Sequence, residues 1–428
     1  MQPEAARPPS PSIGPLIETV KSNQLPCDGV KGRRAAIGDC ELLASFNWIG
    51  KEKAPTIMVP GLPPVWEPLS QPVQLREDDG EYFRDQNAAR FPDHPMEPAV
   101  RALLAQRAAF ETSDVDIVGC GSTLGSLSRF VRGEHKPFRF TVELVGDTVF
   151  FIRRENTPDE RIVGVRGYGH TFPDAYTKWH REVNGSESHQ RLIRYSFAGL
   201  SCVVRFEGDG YLKHLADAAD QDSELAELPE LSALRMQKGG RTIPQQAIFD
   251  LKTRSVMRQG EDVLTEELPR LWISQIPNFV LAFHTRGMFH NEDISVRDVR
   301  KEIDAWEKKN QDALCRLGAL LHKIVDSVKD TPDGKCEVRC REAGVLEIRQ
   351  QLADAPGALS PALHKIWTRS HPPSPQESDN GAALSGARQE SSDDEDSGDG
   401  VDLAAFSDQE SEKDFTACSD ACGYCGRC

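Results

Sequence analysis

The amino-acid sequence predicts an α/β fold in which mixed β-sheets are flanked by helices. Two observations support this prediction. β-rich runs recur between residues 54 and 290, and stretches with the apolar spacing of amphipathic helices lie between and after them. No internal repeat divides the chain. We therefore expect residues 39–368 to form a single domain, with a surface insertion of loops or short helices near 213–244.

The expected elements follow one another along the chain. Up to residue 212 they are a strand at 54–61 (APTIMVPG), an amphipathic helix at 97–110, a strand, turn and helix within 115–131, a hairpin at 138–155 and a strong strand at 200–209 (LSCVVRFEGD). Beyond it they are a strand at 247–256 (AIFDLKTRSV), a buried helix and a strand within 271–289, and one long amphipathic helix at 293–328. This alternation of strands and helices is typical of the α/β class.

Both ends of the chain are expected to be disordered. Residues 1–38 begin with the Pro-rich run MQPEAARPPSPS, and residues 369–428 are rich in Pro, Ser, Gly and acids. From His371 to Cys428, fourteen Asp or Glu stand against three Lys or Arg, so this tail carries −11 of the net charge of −16. The preceding residues are therefore close to neutral, and the overall acidity does not exclude a nucleic-acid partner.

The acidic tail ends in a cluster of cysteines with C-x3-C-x2-C-x2-C spacing, namely Cys418, Cys422, Cys425 and Cys428. Four thiols this close are compatible with a zinc ion, and the first three copy the C-x3-C-x2-C pattern that holds an iron–sulfur cluster in radical enzymes. A structural zinc site usually joins two separated knuckles, however, and the cluster motif needs a barrel built after it. We therefore favour a flexible, reduced tail that binds metal opportunistically.

The location of the protein is also predicted from absences in the sequence. It shows no secretory signal and no apolar run near the roughly 18 residues that span a bilayer. The remaining cysteines are scattered one or two at a time, so reduced thiols are expected. We expect an intracellular protein, nuclear or cytoplasmic, that has no membrane partner.

Two strands of the predicted domain carry charged residues two positions apart. Glu207 and Asp209 end one strand, and Asp250 and Lys252 lie within the next. Residues i and i+2 point to the same face of a strand, so three carboxylates and a lysine converge if the strands pair in one sheet. A divalent cation such as Mg²⁺ or Mn²⁺ would relieve their repulsion, and a lysine beside it could orient an attacking water. The alternative is a solvated strand face with alternating charges, which the apolar neighbours of Asp250 make less favourable.

The order E-x-D followed by D-x-K resembles the signature of the PD-(D/E)XK nuclease superfamily. Its surroundings resemble one branch, the DXO-like RNA decapping exonucleases. Lys252 is followed by Thr253, and LWISQIPNFVLAFHTRG (271–287) offers a Trp-containing helix, a Gln and a strand leading to a Gly turn. Upstream, GYGHTFPDAYTKW (167–179) is similar to a diverged form of the family's G-φ-x-φ-E element. The resemblance covers about residues 115–290 and implies a DXO-like core.

The resemblance also implies roles for individual residues. It assigns the metal, Mg²⁺ or Mn²⁺, to Asp209, Asp250, Glu207 and Asp174. It assigns catalytic roles to Glu207 at a ligand or metal-bound water, to Lys252 at the attacking water, and to Gln275 at the water or the scissile phosphate. The match is inexact at Asp174. The family's acid directly follows an aromatic residue, whereas here Pro173 separates Asp174 from the aromatic residue.

The family's substrate-binding arginine has no counterpart at its expected place. That arginine belongs to a Trp-Arg-Gly turn, and the turn corresponds here to Cys120-Gly121-Ser122. No guanidinium is therefore available at this position to bind a phosphate through two hydrogen bonds. Arg129 or Arg132, one or two helical turns downstream, would compensate. Arg205, in the strand that ends in E-x-D, is a third candidate for substrate binding.

Two functions remain open from the sequence. The first is a metal-dependent hydrolase of nucleic-acid 5′ ends, RNA before DNA, that cleaves a phosphodiester or a cap-type pyrophosphate bond. The alternative is a nuclease-fold protein that has lost catalysis and acts as a binding or scaffold partner, for example of a larger exonuclease. The retained E-x-D and D-x-K motifs favour the first function, and Gly121 together with the shifted Asp174 favours the second.

Overall fold

The computed structural model of the protein describes residues 8–27, 34–50, 52–162, 164–216, 225–226 and 233–369. The predicted tail beyond Arg369, with its four cysteines, lies outside these residues, as do 14 of the 32 residues of the predicted surface insertion at 213–244. Within the described residues, no helix is long and apolar enough to cross a membrane.

The strands of the described residues are β1 (Leu16–Lys21), β2 (Ile37–Ile49), β3 (Thr56–Gly61), β4 (Val65–Trp66), β5 (Val73–Gln74), β6 (Tyr82–Phe83), β7 (Ile117–Cys120), β8 (Phe138–Val145), β9 (Thr148–Arg153), β10 (Arg161–Ile162), β11 (Thr177–Lys178), β12 (Ser186–Phe197), β13 (Leu200–Glu207), β14 (Gly210–Tyr211), β15 (Arg235–Gly240), β16 (Ile248–Ser255), β17 (Asn278–His284), β18 (Met288–Phe289), β19 (Ile294–Asp298), β20 (Lys335–Glu342) and β21 (Val345–Gln350). The α-helices are α1 (Gln86–Arg90), α2 (Glu97–Gln106), α3 (Gly121–Val131), α4 (Thr171–Tyr176), α5 (Val263–Ser274), α6 (Arg300–Lys309), α7 (Gln311–Lys329) and α8 (Pro361–Arg369).

Two large mixed sheets organise these elements. The larger has eleven strands in the order β1-β21-β20-β8-β9-β7-β13-β12-β2-β3-β15, and the smaller has six in the order β11-β4-β14-β16-β17-β19. Parallel pairs, such as β7 with β13 and β16 with β17, occur beside antiparallel ones. The predicted fold class, mixed β-sheets flanked by helices, is therefore confirmed.

Apolar side chains cover both faces of the larger sheet. In β9, Val149 and Phe151 belong to one hydrophobic cluster, whereas Phe150 and Ile152 belong to another. Such alternation follows from the two-residue period of a strand. The first cluster includes residues of α3, α5, α6 and α7, and the second includes residues of α2 and α8, so helices pack on both sides.

A long hairpin, β12 and β13, carries the E-x-D motif to its position. The two strands pair over eight register positions from Gln190–Glu207 to Phe197–Leu200. Ala198 and Gly199 form the two-residue loop with φ values of 52° and 82°, which is the left-handed backbone that such a tight turn requires. The sequence predicts only the second of these strands, because the first has a polar start that masks its β character.

The D-x-K motif lies in a parallel β-α-β unit made of β16, α5 and β17. Seven of the eight residues of β16 are buried, which is expected for a parallel strand covered on both faces. The helix α5 begins at the Asp262 cap, whose carboxylate accepts a hydrogen bond from the Thr265 backbone N–H at 3.2 Å. The crossover from β16 to β17 therefore brings α5 back alongside the strand that carries Asp250 and Lys252.

The structure differs from the sequence predictions in three segments. The segment 1–38 contains β1, in which Val20 alone is buried, and β1 is held by backbone pairing to β21 rather than by an apolar pattern. Part of the surface segment 213–244 forms β15, which pairs in parallel with β3. The helix predicted at 293–328 is β19 followed by α6 and α7, and Val296 of the predicted apolar stripe is 43% exposed.

Candidate functional site

The E-x-D and D-x-K motifs meet where the chain passes from the larger sheet to the smaller one. Glu207 is the last residue of β13 in the larger sheet, and β14 then pairs antiparallel with β16 through Gly210 and Phe249. In the link between them, Asp209 accepts the backbone N–H of Leu251 at 2.7 Å. The two motifs therefore come together from different sheets, and not as neighbouring strands of one sheet.

The carboxylate of Asp250 is bound by an arginine. Asp250 is 1% exposed, and both of its oxygens accept hydrogen bonds from the Arg270 guanidinium, with Nη2 at 2.5 Å from Oδ1 and Nη1 bonded to Oδ2. Arg270 lies in the last turns of α5. This is the two-pronged geometry in which a planar guanidinium matches a carboxylate best. Arg270 thus supplies the positive charge that the sequence predicts for a metal ion at Asp250.

Lys252 is also paired within the site. Its ammonium Nζ lies 3.0 Å from Oε1 of Glu267, whose Oε2 accepts a hydrogen bond from Nη2 of Arg270 at 2.9 Å. We call Asp250, Lys252, Glu267 and Arg270 the charged cluster. It balances two buried anions with two cations, and buried Arg254 lies 3.9 Å from Glu267 as a third, so the anions are paired as charges away from water require.

The pKa of Glu267 reports how strongly the cluster is coupled. Burial by itself would raise this pKa, but the cations of Lys252 and Arg270 lower it from 4.5 to about 2. A carboxyl whose pKa is depressed in the folded state stabilises the protein fully above its ordinary pKa, and this contribution is lost as the pH falls toward the depressed value.

Replacing Glu267 with Gln tests this coupling. We expect the unfolding free energy at pH 7 to fall by on the order of 3 kcal/mol, and the difference from wild type to shrink between pH 5 and pH 2. Denaturant unfolding across this pH range measures it. Glu266→Gln is the matched control, because the adjacent Glu266 side chain is 55% exposed and should change stability little. A pH-independent difference at Glu267 would contradict the assignment.

An inner cavity of about 80 Å³ adjoins the charged cluster. Its lining includes two predicted residues, Arg205 and Glu207, together with Arg270. Gln190 lies opposite Glu207 in the β12–β13 register, is 3% exposed and lines the same cavity. Cross-strand neighbours share a face, so a neutral amide lies beside Glu207 at this register position.

An outer groove of about 640 Å³ continues from the inner cavity, since Arg84, Ser122 and Arg153 line both. Its charged lining residues are Arg84, Arg129, Lys136, Arg139, Arg153, Arg154, Arg339 and Arg341, with His135 in addition, against a single carboxylate, Glu155. Burial would lower the pKa of Arg153, but Glu155 and Asp85 raise it above its ordinary value. Four further acids pair with lining arginines, namely Glu160, Glu337, Glu347 and Asp354. The groove therefore presents a net cationic surface on a chain whose net charge is −16.

Arg129 and Arg132, the two candidates for the missing substrate arginine, have different surroundings. Arg129 lines the outer groove and donates to the Ser126 hydroxyl at 3.0 Å. Arg132 pairs with Glu134 at 2.7 Å and lies over the ring of Trp306, and burial lowers its pKa. Arg132 is not among the residues that line the groove or the inner cavity. The structure thus places Arg129 where it can contact a substrate and engages Arg132 in packing.

Gln275 ends α5 in the left-handed conformation, with φ of 50°. Its side-chain Nε2 donates back to the Trp272 carbonyl at 2.5 Å. It is not among the residues that line the inner cavity, whereas the neighbouring Ser274 and Ile276 are. The structure therefore engages the Gln275 amide with the end of α5.

Asp174 lies on the short helix α4 and is exposed. Burial of part of its carboxyl group and the nearby Asp78 carboxylate raise its pKa. Asp78 accepts the backbone N–H groups of His170 at 3.0 Å and Thr171 at 2.9 Å, and so fixes the start of α4. Asp174 does not line the inner cavity. The structure does not join this predicted metal ligand to Glu207.

The residues of the charged cluster do not fit a resident divalent cation in this arrangement. Both oxygens of Asp250 are taken by Arg270, and one oxygen of Asp209 holds a backbone N–H. Among residues that the structure describes, no group of three or more His, Cys, Asp or Glu could hold a metal ion. A hard cation needs several free oxygen ligands, and binding one here requires Arg270 to leave Asp250.

Sequence reasoning missed the residues that give this site its character, namely Arg270, Glu267, Gln190, Arg84 and Arg153. One signal was present: Glu267 and Arg270 are three residues apart in a helix that directly follows the D-x-K strand. Side chains at i and i+3 of a helix lie on one face, so this pair could have been placed beside Lys252. The other three residues come from separate elements, and no local pattern joins them.

Comparisons with known proteins agree with the fold. A family model described as "Domain of unknown function (DUF8563)" matches residues 18–348. No curated protein matches the sequence. Among solved structures, Scheffersomyces stipitis Rai1 in complex with (3′-NADP)+ and calcium ion is similar over 85% of this chain and 100% of its own, with 13% identity and a TM-score of 0.53.

Two further Rai1 structures are similar. Candida albicans Rai1 in complex with pU5-Mn²⁺ matches 82% of this chain and 99% of its own, with 13% identity and a TM-score of 0.52. S. pombe Rai1 in complex with 3′-FADP matches 78% of this chain and 99% of its own, with 11% identity and a TM-score of 0.51. These likenesses confirm the DXO-like fold that the sequence predicts. The manganese of the C. albicans complex agrees with the metal expected for this fold.

Proposed function

Because the chain belongs to the family described as a domain of unknown function (DUF8563), whose activity its description leaves open, we propose that it binds the 5′-phosphorylated end of a nucleic acid, RNA before DNA. The observation that carries this proposal is the continuity of the arginine-lined inner cavity with the cationic outer groove. The cavity would receive the terminal phosphate, and the groove would follow the backbone behind it. The pU5 bound to C. albicans Rai1 is a ligand of this class on the same fold.

The chemistry of the inner cavity suits a phosphate. Four arginines line it, Arg84, Arg153, Arg205 and Arg270, together with the acids Asp85 and Glu207. A guanidinium carries five donors, so one that already holds a carboxylate can still donate to a phosphate oxygen. A volume of about 80 Å³ accommodates several water-sized groups. The missing arginine at Gly121 is thus compensated by cations from other elements.

Ser122 and Arg153 lie at the junction of the two spaces. Arg153 is held by Glu155, with Nε 2.6 Å from Oε1. A fixed cation at a junction positions a backbone phosphate without reading a base. Recognition in this site is therefore expected to depend on phosphate and charge more than on sequence.

The hydrolase predicted from the sequence is a second candidate function, and one observation favours it. Asp209 contacts the backbone of the D-x-K strand at Leu251, and Glu207 lines the inner cavity together with Arg270, which binds Asp250. In that function Mg²⁺ or Mn²⁺ would replace Arg270 at Asp250, and cleavage would release the 5′ end. Association with a larger exonuclease and an intracellular location stay predictions from the sequence.

A binding and cleavage experiment separates the two candidates. We expect 5′-phosphorylated pentauridylate to bind the full chain in the presence of EDTA at least about tenfold more tightly than its 5′-hydroxyl form, since a charge-assisted contact is lost without the phosphate. Fluorescence anisotropy measures the affinities. Equal affinity for the two forms would refute recognition of the phosphate.

The same oligonucleotide, labelled at its 3′ end, tests hydrolysis with Mn²⁺ at millimolar concentration. For a binding protein we expect no metal-dependent product. Cleavage by wild type that disappears in both Asp250→Ala and Lys252→Ala would establish the hydrolase instead. Calorimetric titration of Mn²⁺ into the unliganded protein supplies an independent readout, with no binding expected at millimolar concentration while Arg270 holds Asp250.

A further inference from the structure

The segment Pro8–Ser12, which we call the N-terminal strap, runs along the outer groove. Arg139 holds it through three contacts: Nη1 donates to the Ser10 hydroxyl at 3.2 Å and to the Pro11 carbonyl at 2.8 Å, and Nη2 donates to the Ser12 carbonyl at 2.8 Å. Asn156 adds a hydrogen bond from Nδ2 to the Pro8 carbonyl at 2.9 Å. The strap is thus bound by side chains that line the groove.

Arg139 is a firmly anchored partner for the strap. Its guanidinium also binds Glu337, with Nη2 at 3.0 Å from Oε2, and Glu337 is fully buried. Arg154 contacts the same carboxylate at 3.2 Å. The buried anion fixes the position of both guanidinium groups, so the strap lies against a preformed cationic surface.

Ser10 is the strap residue that faces this surface. It lines the outer groove, and it is also exposed to solvent. Pro11 follows it directly, and a residue before proline is held in an extended conformation. An accessible serine before proline in an extended segment is the type of substrate that proline-directed protein kinases accept.

We propose that Ser10 is a phosphorylation site and that its phosphate docks in the outer groove, where it competes with the nucleic-acid backbone. The docking rests on the groove alone, and the competition rests on the proposed function. A proline-directed kinase would transfer the γ-phosphoryl group of ATP. The bond from phosphorus to the ADP oxygen breaks, a bond to Ser10 Oγ forms, and the hydroxyl proton passes to the catalytic base of the kinase.

The charge of the groove favours this docking. A phosphoserine carries about −1.5 to −2 charges at pH 7 and three acceptor oxygens. Eight Lys or Arg side chains and one carboxylate line the groove beside Ser10. The new anion would therefore gain attraction in the groove and lower the groove's attraction for a second polyanion.

The docking is tested without nucleic acid on the full chain, phosphorylated with a proline-directed kinase and ATP in a Ser374→Ala background. This background removes the Ser-Pro site of the C-terminal tail. A ³¹P NMR titration gives the second pKa of phosphoserine, ordinarily about 6. We expect it to be lower by about one in the native protein and to return to its ordinary value in guanidinium chloride. A native pKa equal to the denatured one, or no phosphate on Ser10 by mass spectrometry, would overturn the proposal.

The competition is tested with 5′-phosphorylated pentauridylate at low salt. We expect phosphorylation of Ser10 to weaken binding of the oligonucleotide about tenfold. Ser10→Ala in the same background is expected to bind the oligonucleotide equally with and without kinase treatment. An unchanged affinity despite a lowered phosphoserine pKa would overturn the competition. If neither form binds the oligonucleotide while the pKa is lowered, the proposed function fails and the docked phosphate stands.

Discussion

Replacing Arg270 with alanine is expected to lower the unfolding free energy by about 3 to 5 kcal/mol, the loss typical of a buried ion pair that keeps one partner. Arg270 binds both oxygens of Asp250 and one oxygen of Glu267, and both acids are buried. Without the guanidinium, Asp250 loses the partner of both its oxygens, and Glu267 keeps Lys252 and, at 3.9 Å, Arg254. Denaturant unfolding at pH 7 measures the change.

Two variants show whether the loss comes from the charge pair. Arg270→Lys keeps the charge but not the planar fork, so we expect an intermediate loss. The double variant Asp250→Asn with Arg270→Met removes both partners, and we expect it to recover much of the stability. A double variant as unstable as Arg270→Ala would show that packing of the arginine stem, and not its charge, is what α5 requires.

The Arg270→Ala variant also tests whether the arginine stands in for a metal. With Mn²⁺ at about ten times its dissociation constant, binding to the folded state alone would add roughly 1.4 kcal/mol. We expect this gain in Arg270→Ala and not in wild type. Equal stabilisation of both proteins would mean that Arg270 does not compete with metal at Asp250, and the hydrolase would become the better reading.

Removing cations from the outer groove is expected to have the largest effect on binding. Arg129 and Arg341 both line the groove; Arg129 is half-buried and Arg341 is exposed. We expect Arg129→Gln and Arg341→Gln each to weaken binding of 5′-phosphorylated oligonucleotides about tenfold at low salt, the equivalent of one charge-assisted contact. The slope of log affinity against log salt should fall by about 0.7 for each arginine removed, as counterion release from single strands predicts.

The matched control is Arg297→Gln. Arg297 is an exposed arginine on β19 of the smaller sheet, paired with Glu302 at 2.8 Å, and it does not line the groove. We expect its affinity and salt slope to equal those of wild type. The groove would lose its proposed role if all three variants weakened binding alike, because the effect would then follow net charge alone.

The parts of the fold that the sequence predicts are those with a strong local pattern. The hairpin of β8 and β9 is confirmed, since two β-rich runs flank the turn at Gly146. β16 is confirmed as a strand because its apolar residues outweigh its three charged ones, Asp250, Lys252 and Arg254. β1 and β19 were missed, because both are largely exposed edge elements that backbone pairing holds in place.

The candidate site likewise contains residues that a local pattern predicts and residues that it does not. Glu207, Asp209, Asp250 and Lys252 are singled out by their spacing on two strands, and the structure links the two motifs through the Asp209 contact with the Leu251 backbone. The predictions for Gln275 and Asp174 rest on resemblance; the structure bonds the Gln275 amide to the Trp272 carbonyl and places Asp174 on α4 near Asp78. Local order along the chain specifies which residues share a strand face, but not where a helix end points its side chain.

The sequence by itself determined the α/β class, the order of the two charged motifs and the concentration of acidity in the C-terminal tail. Only the tertiary structure decided what neutralises Asp250, because the partner, Arg270, reaches it through a β-α-β crossover and not through a neighbouring strand. It also decided that a near-neutral domain carries a cationic groove, since residues from β8, β9, α3 and β20 contribute to one surface. Net charge sums over the chain, whereas the field at a surface depends on which charges the fold places side by side.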